Sequence, residues 1–595
     1  MKLWLLWAGL QKLKKRRKIK VFTLFIKKKF MRWNLKPKPN SDKVKHLADA
    51  LQVDEVIASL LVQRGIETFE EAKNFFRPKL SDLHDPYLMK DMDKAVVRIE
   101  KANAAGENIL VFGDYDVDGT TAVSLVSSYL RSFYPNVATY IPDRYAEGYG
   151  VSFAGIDFAH DNNITLIIAL DCGIKSIDKV EYAKECGIDF IICDHHRPGN
   201  ELPDAVAVLD PKREDCSYPY DELCGCGIGF KLIQALAQNR GQTIDGLATY
   251  LDLVATAIAA DIVPITGENR VLATFGLDII NTFPRPGIKA LIQNVKKKKL
   301  TISDVVFIIA PRINAAGRIY HGNKAVELLT EFNLEQAEEF AAHIEELNTD
   351  RKGLDKQITA EALLQIETNS EQERFTTVVF NENWHKGVIG IVASRLTETY
   401  YRPTLVFTKS GDKLAASARS VKDFDIYNAL DACAAHLEQF GGHMYAAGLT
   451  LKQEQFDGFK QKFEEVVSAT IAPELLIPEV QVDAEINFAD ITPKFFRILK
   501  QFEPFGPGNM TPVFLSRQLM DTGYGKPIGA DEDHLRLFVK QGDSAGYGAI
   551  GFGLAAKKDL ACKNEPFDAV YSVEENEWNG EVSIQLRLRD IRCCE

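Results

Sequence analysis

Three apolar runs in this 595-residue chain stop on acids: Gly113-Asp114-Tyr115-Asp116-Val117-Asp118-Gly119, Leu170-Asp171-Cys172-Gly173 and Cys193-Asp194-His195-His196. Carboxylates and imidazoles gathered in a partly desolvated cleft are costly unless cations neutralise them, each unpaired buried carboxylate costing several kcal/mol as an order of magnitude. Divalent metal is the natural partner. Asp with His suits Mn²⁺, oxygen-rich sites accept Mg²⁺, and the absence of a nearby thiolate pair argues against structural zinc. An EF-hand reading of Asp-Xaa-Asp-Gly fails for want of a Glu at the twelfth loop position, since positions 125, 127 and 129 hold Leu, Ser and Tyr. Asp261, which closes the apolar helical run 247–260, is a further candidate, with Asp252 an alternative on the same helix.

These residues need a scaffold that brings them together. Between about 108 and 210, short apolar runs alternate with helical patterns, the signature of a parallel sheet with crossover helices. One crossover is explicit: Ser176 as N-cap, the stripe Ile177, Val180 and Ala183, and Gly187 as stop. Residues just past the carboxyl ends of neighbouring parallel strands converge on one crevice, so the acids and both histidines belong to one edge. Residues 334–367 form an acidic helical stretch with no Pro, suited to a connector. A second α/β region follows, with strands near 376–380 and 404–407 and a helix near 426–440. Beyond Pro478 come short strands and Gly-rich turns, ending in an alternation that places Val582, Ile584, Leu586 and Leu588 on one face and Arg587 and Arg589 on the other. A small β-barrel is expected there, and barrels of the OB type commonly bind single strands. The division is therefore 1–30, a basic extension; 31–332, the parallel-sheet domain with its N-terminal segment; 333–370, a connecting helix; 371–475, a second α/β domain; and 476–595, an OB-type β-barrel.

Composition is that of a packed enzyme, 46% hydrophobic and 26% charged. No run of 18 apolar residues occurs, and the ten cysteines show no paired finger spacing, so a cytoplasmic protein without membrane contact is expected. Cys224 and Cys226 read as structural thiols. The first thirty residues hold eleven Lys and Arg and no acid, so the net charge of −12 becomes −23 for the remainder. Their order, apolar then basic, is the reverse of a secretory signal, and Met31 is the more natural start. An acidic body argues against coating nucleic acid by bulk attraction but leaves room for a local basic groove.

The three acidic motifs and Asp261 match, in order, the four motifs of the DHH phosphoesterase superfamily. Gly441-Gly442-His443-Met444-Tyr445-Ala446-Ala447-Gly448 resembles the hallmark of the DHHA1 domain. Pro311-Arg312-Ile313-Asn314-Ala315-Ala316-Gly317-Arg318, Trp384-His385-Lys386-Gly387-Val388-Ile389-Gly390 and Pro504-Phe505-Gly506-Pro507-Gly508-Asn509 are similar to elements of the RecJ family, from about Met31 to the C-terminus. The resemblance implies that Asp116, Asp118, Asp171, His195 and Asp261 ligate two divalent ions, Mn²⁺ or Mg²⁺. Asp114 and His196 would lie in or beside that ligand set, and Asp194 would orient an imidazole. It implies a 5′ to 3′ exonuclease releasing 5′-mononucleotides from single-stranded DNA in recombination and repair, with a single-strand-binding protein and a helicase as partners. Two ions about 4 Å apart would activate water for in-line attack on phosphorus, with His196 either donating a proton to the departing 3′ oxygen or stabilising the pentacovalent state. Arg144, Arg312, Arg318, Ser417, Arg419, Gly442 and His443 are the implied substrate contacts. The turn Cys224-Gly225-Cys226 stands where the family usually has Ala or Val, a departure expected not to touch the metal ligands.

Two other readings stay open. A DHH/DHHA1 phosphodiesterase of short oligonucleotides or cyclic dinucleotides would not need the domain after residue 478. A non-catalytic single-strand binder would not need four intact acidic motifs.

Overall fold

The computed structural model describes residues 31–562, 565–578 and 580–594; the basic extension 1–30 lies outside them. The chain forms two units, a larger one of Lys38–Leu354 with Ile491–Pro512, and a smaller one of the residues up to Pro37 with Asp355–Asp490 and Val513–Glu595.

The larger unit is built on five parallel strands: β1 (Asn108–Gly113), β2 (Val137–Tyr140), β3 (Ile164–Leu170), β4 (Asp189–Cys193) and β5 (Ala207–Leu209), in the order β2-β1-β3-β4-β5. β1, β3 and β4 are apolar along almost their whole length because helices cover both faces of the sheet. The order turns over at β1 and β3, so the crevice beyond their carboxyl ends is the topological switch point where such sheets bind ligands. The helices that matter to the site are α1 (Val117–Arg131), α2 (Ile177–Glu185), α3 (Gly225–Asn239), α4 (Leu251–Ala260), α5 (Gly267–Thr282) and α6 (Ala310–Ile319). Ser176 precedes α2 and Gly187 follows it at φ +75°. Helix α7 (Leu334–Thr368) carries the chain from one unit into the other.

In the smaller unit, strands β6 (Thr377–Phe380), β7 (Thr404–Ser410), β8 (Lys413–Arg419), β9 (Gln439–His443) and β10 (Ala446–Lys452) form a sheet in the order β9-β10-β8-β7-β6, with α8 (Ile389–Tyr400) against β7 and β8. The helix expected over 426–440 stops at Asp431, and Gln439–His443 is a strand instead. Gly441 and Gly442 explain the difference: they pair with Gly448 and Ala447, and a Cβ on Gly442 would fall 2.3 Å from the Ala446 carbonyl oxygen. Gly442 is the condition for close strand pairing here.

The C-terminal sheet contains β11 (Phe514–Asp521), β12 (His534–Lys540), β13 (Tyr547–Gly551), β14 (Phe567–Trp578) and β15 (Glu581–Cys593). Pairings β11–β14, β14–β15, β15–β13, β13–β12 and β12–β11 close these five into a ring, with only β13–β15 parallel. Along β15, Leu586 and Leu588 are buried whereas Val582 is 61% exposed, so only the second half of the expected stripe enters the core.

Two segments group otherwise than expected from sequence. Residues 31–37 belong with the smaller unit: Arg32–Leu35 pairs in parallel with Glu479–Val482, and Lys36 Nζ bonds Asp483 at 2.7 Å. Ile491–Pro512 leaves the C-terminal sheet for the larger unit. There the buried Arg270 guanidinium, stacked on Phe75 at 3.7 Å, donates to the carbonyls of Gln501, Phe502 and Glu503, while Arg64 donates to Asn509 Oδ1 and the Met510 carbonyl. The loop carbonyls are satisfied by this buried guanidinium together with the Asn509 side-chain amide, which donates to the Phe502 and Pro504 carbonyls at 2.7 and 3.0 Å.

Candidate metal centre

Gly113, Leu170, Cys193 and Leu209 stand in register across β1, β3, β4 and β5, and the next residue of each strand is an aspartate: Asp114, Asp171, Asp194 and Asp210. The parallel ladder thereby turns four separate sequence positions into a row. Asp114 is fully buried; its Oδ1 accepts from the Gly150 amide at 3.1 Å and its Oδ2 has no partner. Asp116 caps α1, accepting from the Gly119 amide at 3.0 Å, and Asp118 lies in the first turn of that helix. Gly119 is obligatory, because a Cβ there would lie 2.4 Å from the Asp114 carbonyl oxygen. Asp171 turns into the left-handed region at φ 59°, with its amide bonded to the Cys193 carbonyl at 2.9 Å.

His195 Nε2 is the hub. It lies 3.2 Å from Asp171 Oδ1, 3.6 Å from Asp261 Oδ2 and 3.8 Å from Asp118 Oδ2, and like Nδ1 it is buried without a hydrogen-bond partner. Two groups of donor atoms share this imidazole, each within 4.8 Å: Asp171, His195 and His196, and Asp118, His195 and Asp261. Burial first, and neighbouring carboxylates second, push Asp118 up to about 7 and Asp261 up to about 8, and raise Asp114 and Asp171 well above the carboxylate range. Burial lowers His195 to about 3, leaving a neutral imidazole with a lone pair to give. A neutral His, unpartnered oxygens and carboxylates of mutually raised pKa are the donor set of a divalent cation site, and with no thiolate among the ligating atoms they fit Mn²⁺ or Mg²⁺.

Asp194 is used differently. Its Oδ1 accepts from the amides of His195 (2.8 Å) and His196 (3.1 Å) and from His196 Nδ1 (2.7 Å), and its Oδ2 accepts from the Ile174 amide at 2.9 Å. Burial opposes its ionisation, but these bonds and the His196 charge outweigh burial and lower its pKa. His196 is thereby fixed with Nε2 outward, 3.2 Å from the Tyr149 hydroxyl, which also reaches the Asp171 carbonyl at 3.3 Å. Asp252, the alternative to Asp261, is fully buried in an ion pair with Arg285 at 2.9 Å and belongs to the core.

Sequence reasoning missed three features. Asp210 completes the row, buried, with Oδ2 unpartnered and its pKa pushed up to about 7 by burial; the signal was present, since 205–209 is also an apolar run stopping on an acid. Tyr149 carried no signal beyond its place in a Gly-flanked loop. The turn before Lys231, expected not to touch the candidate ligands, reaches one of them: the Gly225 and Cys226 amides donate to Asp118 Oδ2 and Oδ1, both at 2.7 Å.

The other expected residues divide between the units. In the larger, Arg144 stacks over the Tyr115 ring at 4.5 Å, and Tyr145 donates to the Arg318 carbonyl. Gly317, whose Cβ would meet the Tyr115 carbonyl oxygen at 2.6 Å, brings α6 and Arg318 against the same turn. Arg312 is already engaged, 2.5 Å from Glu345 and from the Ile308 carbonyl. In the smaller unit, Arg419 Nη1 donates to Ser417 Oγ at 3.0 Å, and both side chains border Gly390 in the first turn of α8. Arg419 aligns with Ala446 and His443 across three strands, and Ser417 with Gly448 and Gly441. All ten cysteines are free, and no helix among the described residues is long and apolar enough to cross a membrane.

The sequence model of the DHH family, N-terminal domain, matches residues 108–258, that of the DHHA1 domain 372–469, and that of the RecJ OB domain 482–590. The single-stranded-DNA-specific exonuclease RecJ of Bacillus subtilis (strain 168) is 37% identical over 575 residues, 95% of this chain and 71% of that protein. Its counterpart from Escherichia coli (strain K12) is 33% identical, over 91% of this chain and 96% of that one. The crystal structure of RecJ in complex with Mn²⁺ from Thermus thermophilus matches with a TM-score of 0.82 at 27% identity, over 95% of this chain and 80% of that one, and the corresponding Mg²⁺ complex with a TM-score of 0.75. The chain belongs to the RecJ family.

Proposed function

We propose that this chain is a metal-dependent exonuclease that degrades single-stranded DNA from the 5′ end to 5′-mononucleotides. The observation that carries the reading is the convergence of Asp118, Asp171 and Asp261 on the partnerless Nε2 of a neutral, buried His195. Two divalent cations, when bound, supply the Lewis acidity that activates water and offsets charge on the phosphoryl oxygens. Asp116, Asp118, Asp171, His195 and Asp261 hold them, with Asp114 beside them. His196, fixed through Nδ1 by Asp194, presents Nε2 to donate a proton to the departing 3′ oxygen.

Arg144 and Arg318, flanking Tyr115, and the Arg419–Ser417 pair at the start of α8 are the proposed phosphate contacts, since guanidinium forks and hydroxyls suit phosphate oxygens. Gly442 and His443 are proposed to lie along the strand; a Cβ on the neighbouring Gly441 would meet nothing within 4 Å, so the backbone there is open to a nucleotide. The closed ring at the C-terminus supports a polymer substrate over a dinucleotide. The cytoplasm, where ten free thiols persist, and a single-strand-binding protein and a helicase as partners complete the proposal, the partners on family membership alone.

The test is a time course on single-stranded DNA labelled at either end, with Mn²⁺ or EDTA, for the wild type and Asp118→Ala. Immediate release of mononucleotide from the 5′ label, gradual shortening of the 3′-labelled strand, and neither in the variant or with EDTA is expected. Cleavage of dinucleotides with long strands left intact would replace this reading by the short-substrate enzyme.

A further inference from the structure

The amides of Gly225 and Cys226 are the first two of α3, and helix-terminal amides have no partner inside their own helix. Here each reaches one oxygen of Asp118 at 2.7 Å. The Asp118 side chain is 1% exposed, so no water stands ready to replace either bond. The same two residues set a second carboxylate. A Cβ on Gly225 would lie 2.5 Å from Asp171 Cβ and 2.8 Å from its Cα, so the helix terminus is pressed against Asp171 while it bonds Asp118. Helix α3 is in turn rigidly held. Residues 225–237 are all buried, Gly229 lets the helix close on Val126 and Leu170, and Lys231 Nζ is anchored to Glu268 and the His84 carbonyl.

We propose that the Gly225 and Cys226 amides are a positioning device that fixes the orientation of Asp118 and its spacing from Asp171, and thereby sets the affinity of the centre for divalent cations. The inference rests on the metal reading above. With one lone pair of each Asp118 oxygen committed to an amide, and the Cys224 thiol also bonded to this carboxylate, the acceptor capacity that is left faces the cluster, where His195 Nε2 lies 3.8 Å from Oδ2. The side chain of residue 226 takes no part, whereas residue 225 cannot carry one.

Cys226→Pro removes one of the two amide hydrogens in the first turn, where that hydrogen makes no intrahelical bond, but it sets the ring against Asp118 Oδ1, 2.7 Å from the nitrogen, so a ring-free amide-to-ester change at the same position is decisive. Cys226→Ala keeps the hydrogen. Calorimetric titration of the full chain with Mn²⁺, with thermal midpoints measured in EDTA, separates the variants. C226A is expected to bind as the wild type. C226P is expected to bind about 10–100-fold more weakly, with its metal-free midpoint near that of C226A. Unchanged affinity in C226P, or equal weakening in both variants, would overturn the proposal. Lactate in place of alanine at position 226 removes the same hydrogen by an amide-to-ester change without the proline ring, and, whether or not C226P folds, the same two outcomes, read against C226A, decide. A wild-type chain that takes up no Mn²⁺ would overturn the metal reading itself, a result distinct from either.

Discussion

Replacing Lys231 by Met tests whether α3 is anchored electrostatically. Lys231 and Glu268 are 0% and 1% exposed, with Nζ 3.0 Å from Oε1 and 2.7 Å from the His84 carbonyl oxygen. Breaking a buried pair from one side costs roughly 3–5 kcal/mol, because the remaining charge is left uncompensated. Glu268 would not be wholly abandoned: the His84 amide still reaches Oε1 at 2.9 Å and the Tyr218 hydroxyl still reaches Oε2 at 2.6 Å. The lower end, about 3 kcal/mol, is therefore expected for K231M. Replacing both partners with apolar groups of similar volume removes the stranded charge, so K231M/E268L should recover most of the loss. Urea unfolding of the larger unit, followed by hydrogen exchange of α3 amides, reads both numbers. A loss below about 1 kcal/mol in K231M, the range of an exposed pair, would refute the buried-pair account. A double variant as unstable as the single one would refute the stranded charge as its cause.

His196→Ala should lower turnover of 5′-labelled single strands by about 10²–10⁴-fold, the range for a lost general acid; full activity across pH would remove His196 from the chemistry. Mn²⁺ at about 100 times its Kd should stabilise the larger unit by about 2.7 kcal/mol, and a His195→Ala chain should show no such shift in thermal midpoint. Because Asp118 is pushed up to about 7 and Asp261 up to about 8, ion binding near neutral pH should expel protons; calorimetry in buffers of different ionisation enthalpy would show a buffer-independent heat if it does not. Burial raises Glu107, but the Thr165 hydroxyl and Arg98 outweigh it and hold its pKa below the usual value. Its stabilising contribution is therefore present above about pH 4.5 and lost as pH falls through the lower folded value, so the urea midpoint should drop less on acidification in R98M than in the wild type.

The acidic row was legible because a parallel sheet converts a repeated pattern, apolar run then acid, into adjacency; Asp114, Asp171 and Asp194 needed only strand order to meet. The same rule would have found Asp210 had every run been treated alike. Asp261 could be proposed but not chosen over Asp252 from spacing, since they stand at opposite ends of one buried helix; what separates them is Arg285, 33 residues from Asp252 along the chain, which claims it. The amides holding Asp118 have no residue letter, so composition could not reveal them. The glycine at 225 was the trace they left, read as a simple turn because its clash is with Asp171, far away in sequence. The strand over 439–443 was hidden because glycines at strand positions also look like helix stops.

The centre works against the stability of the chain that carries it. Asp171 is held at φ 59°, in the region that disfavours side chains, at a cost of about 1–3 kcal/mol. Gly113 and Gly119 give up packing so that α1 can press on the end of β1, where a Cβ on Gly113 would meet Val123 at 2.5 Å. Asp114 Oδ2, Asp210 Oδ2 and His195 Nε2 are buried without hydrogen-bond partners. Folding alone would select against each of these, and a cation makes most of them favourable at once: it neutralises the raised carboxylates and takes the imidazole lone pair. The surrounding bonds do not relieve that strain but direct it. Four bonds to Asp194 hold the His195–His196 turn, and two amides hold Asp118, so the ligands cannot relax apart in the free chain. Preorganisation of this kind means that little of the ion's binding energy is consumed in gathering donors, which leaves it available to act on the phosphoryl group.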